Sequence, residues 1–262
     1  MGTASQNLGA IGHTAFYADS ALGNNNAAFH NSLYRGKYLG TSVTADQYAQ
    51  ISAGTFDDLF IGDYWTIDGV NWRIAAFDYW YNISGDNINV HHVVIVPDSN
   101  LATCKMNNTN ITTGGYVGSG FYTGNNSNTG RSTAISAVNS AFGSGHILHY
   151  NDYLINAVTD GYPSGQVWTE CTVELMNEAM VYGGKFFEPM ANGSAVYSNY
   201  TVSKSQLPLF QHEHSRICDR ADWWLRGVVS SSSFAIVGSY GSANHSGASA
   251  SFGVRPAFAI RA

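Results

Sequence analysis

The C-terminal stretch Trp223–Ile260 constrains the fold of this chain more than any other part of its sequence. Two aromatic and charged ends, DWWLR at 222–226 and GVRPAF at 253–258, enclose residues 227–252, which are almost wholly Ser, Gly, Ala and apolar residues and carry no charge. Flexible Gly/Ser linkers lack regularly spaced apolar side chains, but this segment contains Val228, Phe234, Ile236, Val237, Tyr240 and Phe252. It therefore predicts short strands and loops between two well-specified ends, as where a rigid scaffold presents recognition loops.

The residue types of this segment also suit a binding surface, because Tyr gives a large contact area and Ser, Gly and Asn give adaptable hydrogen bonding. The runs WWLRG, VVSSSSFAIVGSYG and GVRPAFAI resemble the C-terminal region of variable proteins targeted by diversity-generating retroelements, especially those of phages that infect gut bacteria. The resemblance implies that adenines are miscopied, so that AAC codons become any NNC codon. Such codons cannot encode Lys, Glu, Gln, Met or Trp, and residues 227–252 contain none of these five.

The resemblance also implies which positions vary and which hold the scaffold. The diversified, ligand-binding positions are predicted to be Ser232, Ser233, Ile236, Gly238, Ser239, Tyr240, Asn244, His245, Ser246, Gly247 and Ala250, and the scaffold spacers Val237, Gly241 and Ala248. We call the two ends, 222–226 and 253–258, the scaffold anchors. Their aromatic residues Trp223, Trp224 and Phe258 are expected to fill the core. Arg226 and Arg255 are expected to pair with Asp219, Asp222 or backbone carbonyls. The alternative is a Ser/Gly-rich β region without diversification.

The expected fold class is α+β, and the resemblance implies a C-type-lectin-like fold of the formylglycine-generating-enzyme branch with a β-rich C-terminal variable region. Residues 1–40 are Asn-, Ala- and Gly-rich. They are predicted to form an irregular segment, either frayed or in contact with an oligomer partner or a phage tail. Residues 41–262 then form the ligand-binding domain, with the variable region at 227–252.

Local patterns predict several elements. Thr44–Ser52 has a Thr cap and amphipathic spacing, which indicate a short helix ended by Gly54. Asp63–Asp78 predicts a hairpin around Asp68-Gly69, and His91–Val96 a buried strand. Helices are predicted for Arg131–Phe142 and Cys171–Tyr182; residues 146–158 between them are compatible with strand or helix.

Composition narrows the function. Charged residues make up 11% of the chain, the net charge is −6 and there is no basic run, which argues against nucleic acid and anionic membrane surfaces. No apolar run reaches the length of a membrane span and no signal peptide is recognisable, so we expect no membrane insertion and synthesis in the host cytoplasm. The three cysteines, Cys104, Cys171 and Cys218, fit free thiols better than a disulfide framework or a zinc knuckle.

Candidate chemical sites are weak. His212-Glu213-His214 could ligate zinc on one face of a strand, but a polar turn explains it better, and at most one of His91 and His92 could serve a site. Glu174 and Glu178 are predicted to lie one turn apart on a solvated helix face, where paired carboxylates are common. The other carboxylates considered for acid-base chemistry are Asp57, Asp58, Glu170 and Glu188.

Calcium binding through Glu188-Pro189-Met190 is not expected, because Met offers no hard oxygen ligand. Formylglycine-generating activity is not expected either, since it depends on active-site cysteines and the three here match no such arrangement. We therefore expect no catalytic residues, no metal and no cofactor.

The sequence thus predicts a non-enzymatic, retroelement-diversified binding protein of the phage tail, located in the virion, which recognises a bacterial surface receptor, either protein or glycan. A homo-oligomer is expected, a trimer by analogy with tail fibres, because avidity compensates for weak individual contacts. The alternatives are a glycan-active hydrolase of the tail and a structural tail or adhesin subunit.

Overall fold

The computed structural model describes residues 26–83, 88–123, 130–189 and 203–262. It shows a mixed α and β protein, mostly sheet with few helices, which confirms the coarse fold class. The helices are α1 (Ala27–Asn31), α2 (Ala45–Ala53), α3 (Gly120–Thr123), α4 (Gly130–Phe142), α5 (Glu178–Tyr182) and α6 (Pro208–His212). The strands are β1 (Tyr38–Gly40), β2 (Tyr64–Ile67), β3 (Val70–Phe77), β4 (Val93–Pro97), β5 (Ala102–Cys104), β6 (Tyr150–Leu154), β7 (Ala157–Thr159), β8 (Tyr162–Ser164), β9 (Val167–Cys171), β10 (Glu174–Leu175), β11 (Trp223–Val228), β12 (Ser233–Val237), β13 (Ala243–Gly247), β14 (Phe252–Val254) and β15 (Pro256–Ile260).

A six-stranded sheet, in the order β1-β2-β3-β4-β15-β10, contains the predicted hairpin. β2 and β3 are antiparallel, and the turn residues Asp68 and Gly69 have φ values of 52° and 78°. Positive φ at both central positions is what a type I′ turn requires, so this prediction is confirmed. β4 is buried along its whole length, as predicted, although it begins at Val93 and includes Pro97.

A five-stranded sheet, in the order β13-β12-β11-β14-β5, carries the C-terminal stretch. The chain passes directly from one sheet to the other between β4 and β5, between β10 and β11 and between β14 and β15, and it returns from β5 to β10 by way of the two-stranded sheets β6–β9 and β7–β8. The buried apolar residues of both sheets, including Trp72, Trp224 and Phe258, form one hydrophobic cluster. The position of β11–β13 is therefore fixed by the same core that holds the larger sheet.

Two helices agree with their sequence patterns. In α2 the Thr44 side chain accepts from the Gln47 backbone N–H and Gln47 caps Thr44 in return, while Gly54 ends the helix in the left-handed conformation. α4 buries Ala134, Val138 and Phe142 and stops before Gly143, whose φ is 79°. The Phe142 ring lies 5.5 Å from that of Trp72. Both helix predictions are confirmed.

The helix predicted for Cys171–Tyr182 is wrong for its first half. Cys171 ends β9, and Glu174–Leu175 form β10, which pairs with Ala257 and Pro256 of β15. Only Glu178–Tyr182 is helical, capped by the Asn177 side chain, which accepts from the Met180 N–H. Of the region left open between the two predicted helices, Tyr150–Leu154 and Ala157–Thr159 are strands.

Residues 26–40 pack on the core, unlike the irregular segment predicted for residues 1–40. β1 runs parallel to β2, and His30 of α1 is fully buried, with its Nδ1 2.6 Å from the Leu59 carbonyl oxygen. Residues 1–25 lie outside the described part of the chain. Within the described ranges, none of the helices has the length and apolar character needed to cross a membrane.

Candidate functional site

The hairpin β12–β13 places most of the predicted diversified positions at the edge of the five-stranded sheet. β12 pairs with β11 on one side and with β13 on the other, and β13 is the outer strand. All five residues of β12 are buried, whereas those of β13 are half-buried or exposed. The accessible surface of the segment is therefore on β13 and in the turns that flank it.

The predicted diversified residues divide into three groups by exposure. Tyr240 is 92% exposed, and Asn244 and His245 are also exposed. The half-buried members are Ser232, Ser239, Ser246, Gly247 and Ala250. The buried members are Ser233, Ile236 and Gly238, which as placed offer a ligand little surface. Of the predicted spacers, Val237 and Ala248 are buried and Gly241 is half-buried.

Contacts within the sheet and the hairpin explain why the three buried members are covered. Ile236 lies between Trp224 of β11 and Asn244 of β13 in the strand register. Ser233 Oγ is 2.7 Å from Ser230 Oγ. The Gly238 N–H donates to the Ser242 carbonyl at 2.8 Å and closes the hairpin turn.

Three side chains from outside the hairpin form hydrogen bonds with the backbone of the turn that carries Tyr240. Asp222 Oδ1 accepts from the Ser239 N–H at 2.7 Å, and the Cys218 thiol donates to the Ser239 carbonyl at 3.1 Å. The Tyr182 hydroxyl of α5 donates to the Gly241 carbonyl at 3.2 Å. Tyr240 is thus exposed on a turn whose backbone is fixed on both sides.

The opposite end of the hairpin is held by residues 107–112, which the sequence reasoning missed. The Asn107 N–H donates to the Ala248 carbonyl at 2.8 Å. Asn110 Oδ1 accepts from both the N–H and the hydroxyl of Ser249, and the Thr112 hydroxyl donates to the Ser230 carbonyl. No pattern in the local sequence NNTNITT identifies these long-range contacts.

The aromatic anchors lie in the core, as expected from their composition. Trp223, Trp224 and Phe258 are fully buried, and the Trp224 Nε1 donates to the Cys104 carbonyl at 2.8 Å. Arg255 lies between β14 and β15 and donates to the Pro97 and Arg216 carbonyls. Burial lowers the pKa of Arg255 to about 10.

Arg226 does not pair with Asp219 or Asp222; its Nη2 donates to Asp152 Oδ2 of β6 at 2.5 Å. The same carboxylate oxygen accepts from the Ser203 hydroxyl at 2.6 Å, and Trp80 Nε1 donates to Ser203 Oγ. Burial opposes the charge on Arg226, but Asp152 outweighs it and raises the Arg226 pKa.

Two consecutive exposed phenylalanines lie outside the predicted variable segment, and one of them, Phe187, contacts β13. Phe186 is 64% and Phe187 38% exposed, and the rings of Phe187 and His245 are 5.0 Å apart. We call residues 185–189 the aromatic strap. Sequence reasoning missed it, although the run GGKFF at 183–187, two glycines and a lysine before two phenylalanines, could have indicated a turn with exposed aromatic side chains.

Two buried carboxylates, Glu178 and Glu188, hold the aromatic strap, and the burial of Glu178 contradicts its predicted place on a solvated helix face. Glu178 accepts from the backbone N–H groups of Phe186, Phe187 and Glu188 at 2.7 to 3.0 Å. Glu188 Oε1 accepts from the Glu178 N–H at 3.0 Å in return. Glu178 is fully buried. Desolvation and the nearby Glu188 charge raise its pKa, although the three N–H donors oppose the shift.

Glu174 is also buried, and it lies on β10 rather than on a helix. It accepts from the Tyr116 hydroxyl at 2.6 Å and pairs with Arg131 at 2.7 Å. Asp58 and Glu170 form exposed pairs, with Lys37 and His149 respectively. Glu174, Asp58 and Glu170 therefore each have a partner that explains their position structurally.

The histidine motif 212–214 does not lie on a strand. His212 ends α6, with Nε2 2.9 Å from the Asn31 carbonyl oxygen, and Glu213 Oε1 accepts from the Ser215 N–H. No group of three or more His, Cys, Asp or Glu that could hold a metal occurs among the residues described.

His91 and His92 precede β4 instead of opening it. His91 Nδ1 is 2.7 Å from Asp78 Oδ2, and His92 is buried, with its Nε2 accepting from the Trp80 N–H. All three cysteines are free thiols; Cys104 and Cys171 are buried and Cys218 is half-buried.

Comparison with known protein families gives one partial similarity. Residues 186–262 match the model of a family described as Domain of unknown function (DUF6273). No curated protein and no solved structure matches the chain. The match covers well under half of the chain, from Phe186 of the aromatic strap through both anchors and the hairpin to the C-terminus. This C-terminal part is therefore similar to a family whose function is undefined.

Proposed function

We propose that the protein is a non-enzymatic ligand-binding protein that contacts a bacterial surface molecule through β13 and the turn bearing Tyr240. In this proposal the scaffold is C-type-lectin-like, residues 227–252 are diversified by a retroelement, and the protein is part of a phage tail in the virion. The contact residues are the exposed and half-buried members of the predicted set. The buried Ser233, Ile236 and Gly238 are left out of the contact surface.

One observation carries the proposal: exposed Tyr240, Asn244 and His245 lie directly beside the fully buried β12. Substitutions at exposed positions usually change stability by less than about 0.5 kcal/mol, whereas core substitutions cost several kcal/mol. The exposed positions of the outer strand and its turn can therefore change sequence while β11 and β12 keep the fold. A surface that must tolerate many side chains needs this separation.

The types of side chain support a binding role. Exposed Tyr gives contact area at low entropic cost, and Asn, His and Ser supply adaptable donors and acceptors. The segment 227–252, which supplies this surface, contains no charged residue. Individual contacts would be weak, and a homo-oligomer, proposed as a trimer, would add avidity.

The gene tests the diversification directly. We expect a near-copy of the codons for residues 227–260 close by, differing mainly at adenines and lying beside a reverse-transcriptase gene. Codons without adenine bias at Tyr240, Asn244 and His245, and no such copy, would contradict the retroelement part of the proposal.

Binding to bacterial cells tests the receptor-binding part. The full chain, labelled on its surface, is expected to bind cells of some strains, and the triple substitution Tyr240→Ser, Asn244→Ala and His245→Ala is expected to abolish binding. Tyr38→Ala, at a half-exposed aromatic residue on the far edge of the six-stranded sheet, is the matched control. Equal binding by the triple variant would place the receptor site elsewhere.

The two alternatives make different predictions. A glycan-active hydrolase would release sugars from cell surfaces. A structural subunit would bury Tyr240 in an assembly, so that labelling of an engineered cysteine at this position would be blocked in the virion.

A further inference from the structure

We propose that Phe186 and Phe187 form a fixed aromatic side of the binding surface, and that the ligand they contact is an uncharged sugar ring of a bacterial surface glycan. This inference rests on the proposed function and adds both the class of ligand and two contact residues. Neither phenylalanine belongs to the segment 227–252. They would stay constant while the neighbouring strand varies.

The aromatic strap adjoins the hairpin at two places. Phe187 meets His245 in the middle of β13, with ring centroids 5.0 Å apart. The Phe186 ring contacts Tyr182 edge-on at 5.5 Å, and the Tyr182 hydroxyl binds the Gly241 carbonyl in the turn below Tyr240. The strap is therefore in direct contact with the outer strand, and Tyr182 links it to the turn.

The strap is held in place before any ligand arrives. The Glu178 carboxylate accepts from three consecutive backbone N–H groups of the strap. Glu188 returns a bond to the backbone of α5. Both acids are more than nine-tenths buried. Burying two carboxylates costs free energy, so their use to order an exposed turn suggests that the order itself matters. A contact surface that is ordered before binding loses less entropy when the ligand binds.

The charges of the surface favour an uncharged ligand. Residues 227–252 contain no charged side chain. On the strap, Lys185 Nζ lies 3.4 Å from Glu188 Oε2, so these opposite charges face each other. Asn244, His245 and Ser246 supply hydrogen-bond donors and acceptors of the kind that sugar hydroxyl groups use.

The shape favours a glycan over a protein. The five residues of β13 span roughly 17 Å, and the exposed aromatic rings around it belong to Phe186, Phe187 and Tyr240, which lie outside the strand itself. A stable protein interface usually buries about 800 Å² per partner around an aromatic or aliphatic centre, whereas here the centre consists of small polar residues. A phenyl ring can pack on the C–H face of a pyranose while the polar centre binds its hydroxyl groups.

The test uses the full chain and treated bacterial cells. Periodate cleaves the vicinal diols of sugars, whereas protease removes exposed proteins. We expect periodate to abolish cell binding and protease to leave it unchanged. Purified neutral surface polysaccharide should compete for binding. Phe186→Ala combined with Phe187→Ala should weaken binding about tenfold, the effect of losing roughly 1.4 kcal/mol, and Tyr38→Ala should not.

Each opposite result is informative. Binding that survives periodate but not protease, or that is unchanged in the double phenylalanine variant, overturns this inference and leaves the proposed function standing. Absence of binding to every cell type and every neutral polysaccharide contradicts both. Unchanged melting temperatures are the folding control, and Phe186→Ala alone serves if the double variant is unstable, because Phe186 is the more exposed residue.

Discussion

At the scale of single residues, Arg226 and Asp152 show how a local motif depends on a distant partner. Their side chains are 6% and 1% exposed, respectively, and Asp152 also accepts from Ser203. Arg226 belongs to the WWLRG run, but Asp152 lies 74 residues earlier in the chain. The sequence identifies the arginine as special and gives no means of finding its carboxylate.

Removing one member of this ion pair should be more damaging than removing both. Asp152→Ala leaves a buried guanidinium without its carboxylate, so we expect a loss of about 3–5 kcal/mol in the free energy of unfolding. Replacing both, with Asp152→Leu and Arg226→Met, should recover most of that loss. Urea unfolding of the wild type and of these two variants measures this, and an Asp152→Ala variant as stable as the wild type would show that the pair contributes nothing.

Glu178 predicts a pH dependence of stability. Its pKa is raised in the folded state from the ordinary value of 4.5. The native state therefore binds the proton more tightly than the unfolded state, and this residue's contribution to stability falls as the pH rises from about 4.5 through the folded-state pKa. Glu178→Gln should remove that decline.

The free energy of unfolding of the wild type and of Glu178→Gln is measured at several pH values from 4 to 8. Only the difference between the two slopes against pH is interpreted, because the Gln variant also weakens the strap. Parallel curves would mean that Glu178 has no raised pKa.

At the scale of elements, Gly227 lets β11 approach the aromatic strap. A Cβ built at this position overlaps the carboxyl group of buried Glu188. We expect Gly227→Ala to cost about 1–3 kcal/mol, as overpacking does, and to weaken cell binding by displacing Phe187. Gly184→Ala is the control, because a Cβ there meets nothing within 4 Å. Equal melting temperatures for the two variants would refute this view of the strap.

The α2 cap offers a local prediction. Thr44→Ala removes the side-chain acceptor for the Gln47 N–H, and caps of this kind contribute about 1 kcal/mol. The variant should lose that amount in urea unfolding and should bind cells as the wild type does, since α2 is not part of the proposed surface. Thr44→Ser, which keeps the hydroxyl, should show little loss.

The elements that the sequence predicted correctly are those specified by their own residues. The β2–β3 hairpin has Asp68-Gly69 at the turn, and α2 and α4 each have a glycine at the end. Cys171–Tyr182 also has helical spacing, but Glu174–Leu175 pair with β15 instead. Strand pairing with residues more than eighty positions away overrides a local preference.

At the scale of the whole molecule, the two sheets should unfold together. The chain crosses directly between them at β4–β5, β10–β11 and β14–β15, and a single hydrophobic cluster contains residues of both. We expect amide hydrogens of Ile74 in β3 and of Ile236 in β12 to exchange through the same global opening. Clearly different opening free energies, measured by hydrogen exchange, would show that the sheets are separate folding units.

The sequence by itself determined the α+β class, the hairpin, two helices and the contrast between strongly specified ends and an uncharged segment at the C-terminus. These follow from composition and short-range spacing. Only the tertiary structure decided which positions of 227–252 face outward, because β12 is covered on both faces and its alternation carries no signal. Three other features depend likewise on contacts between segments that are distant in the sequence: the aromatic strap, the loop at 107–112 and the Arg226–Asp152 pair. The packing of the whole chain fixes these contacts, and the local sequence does not encode them.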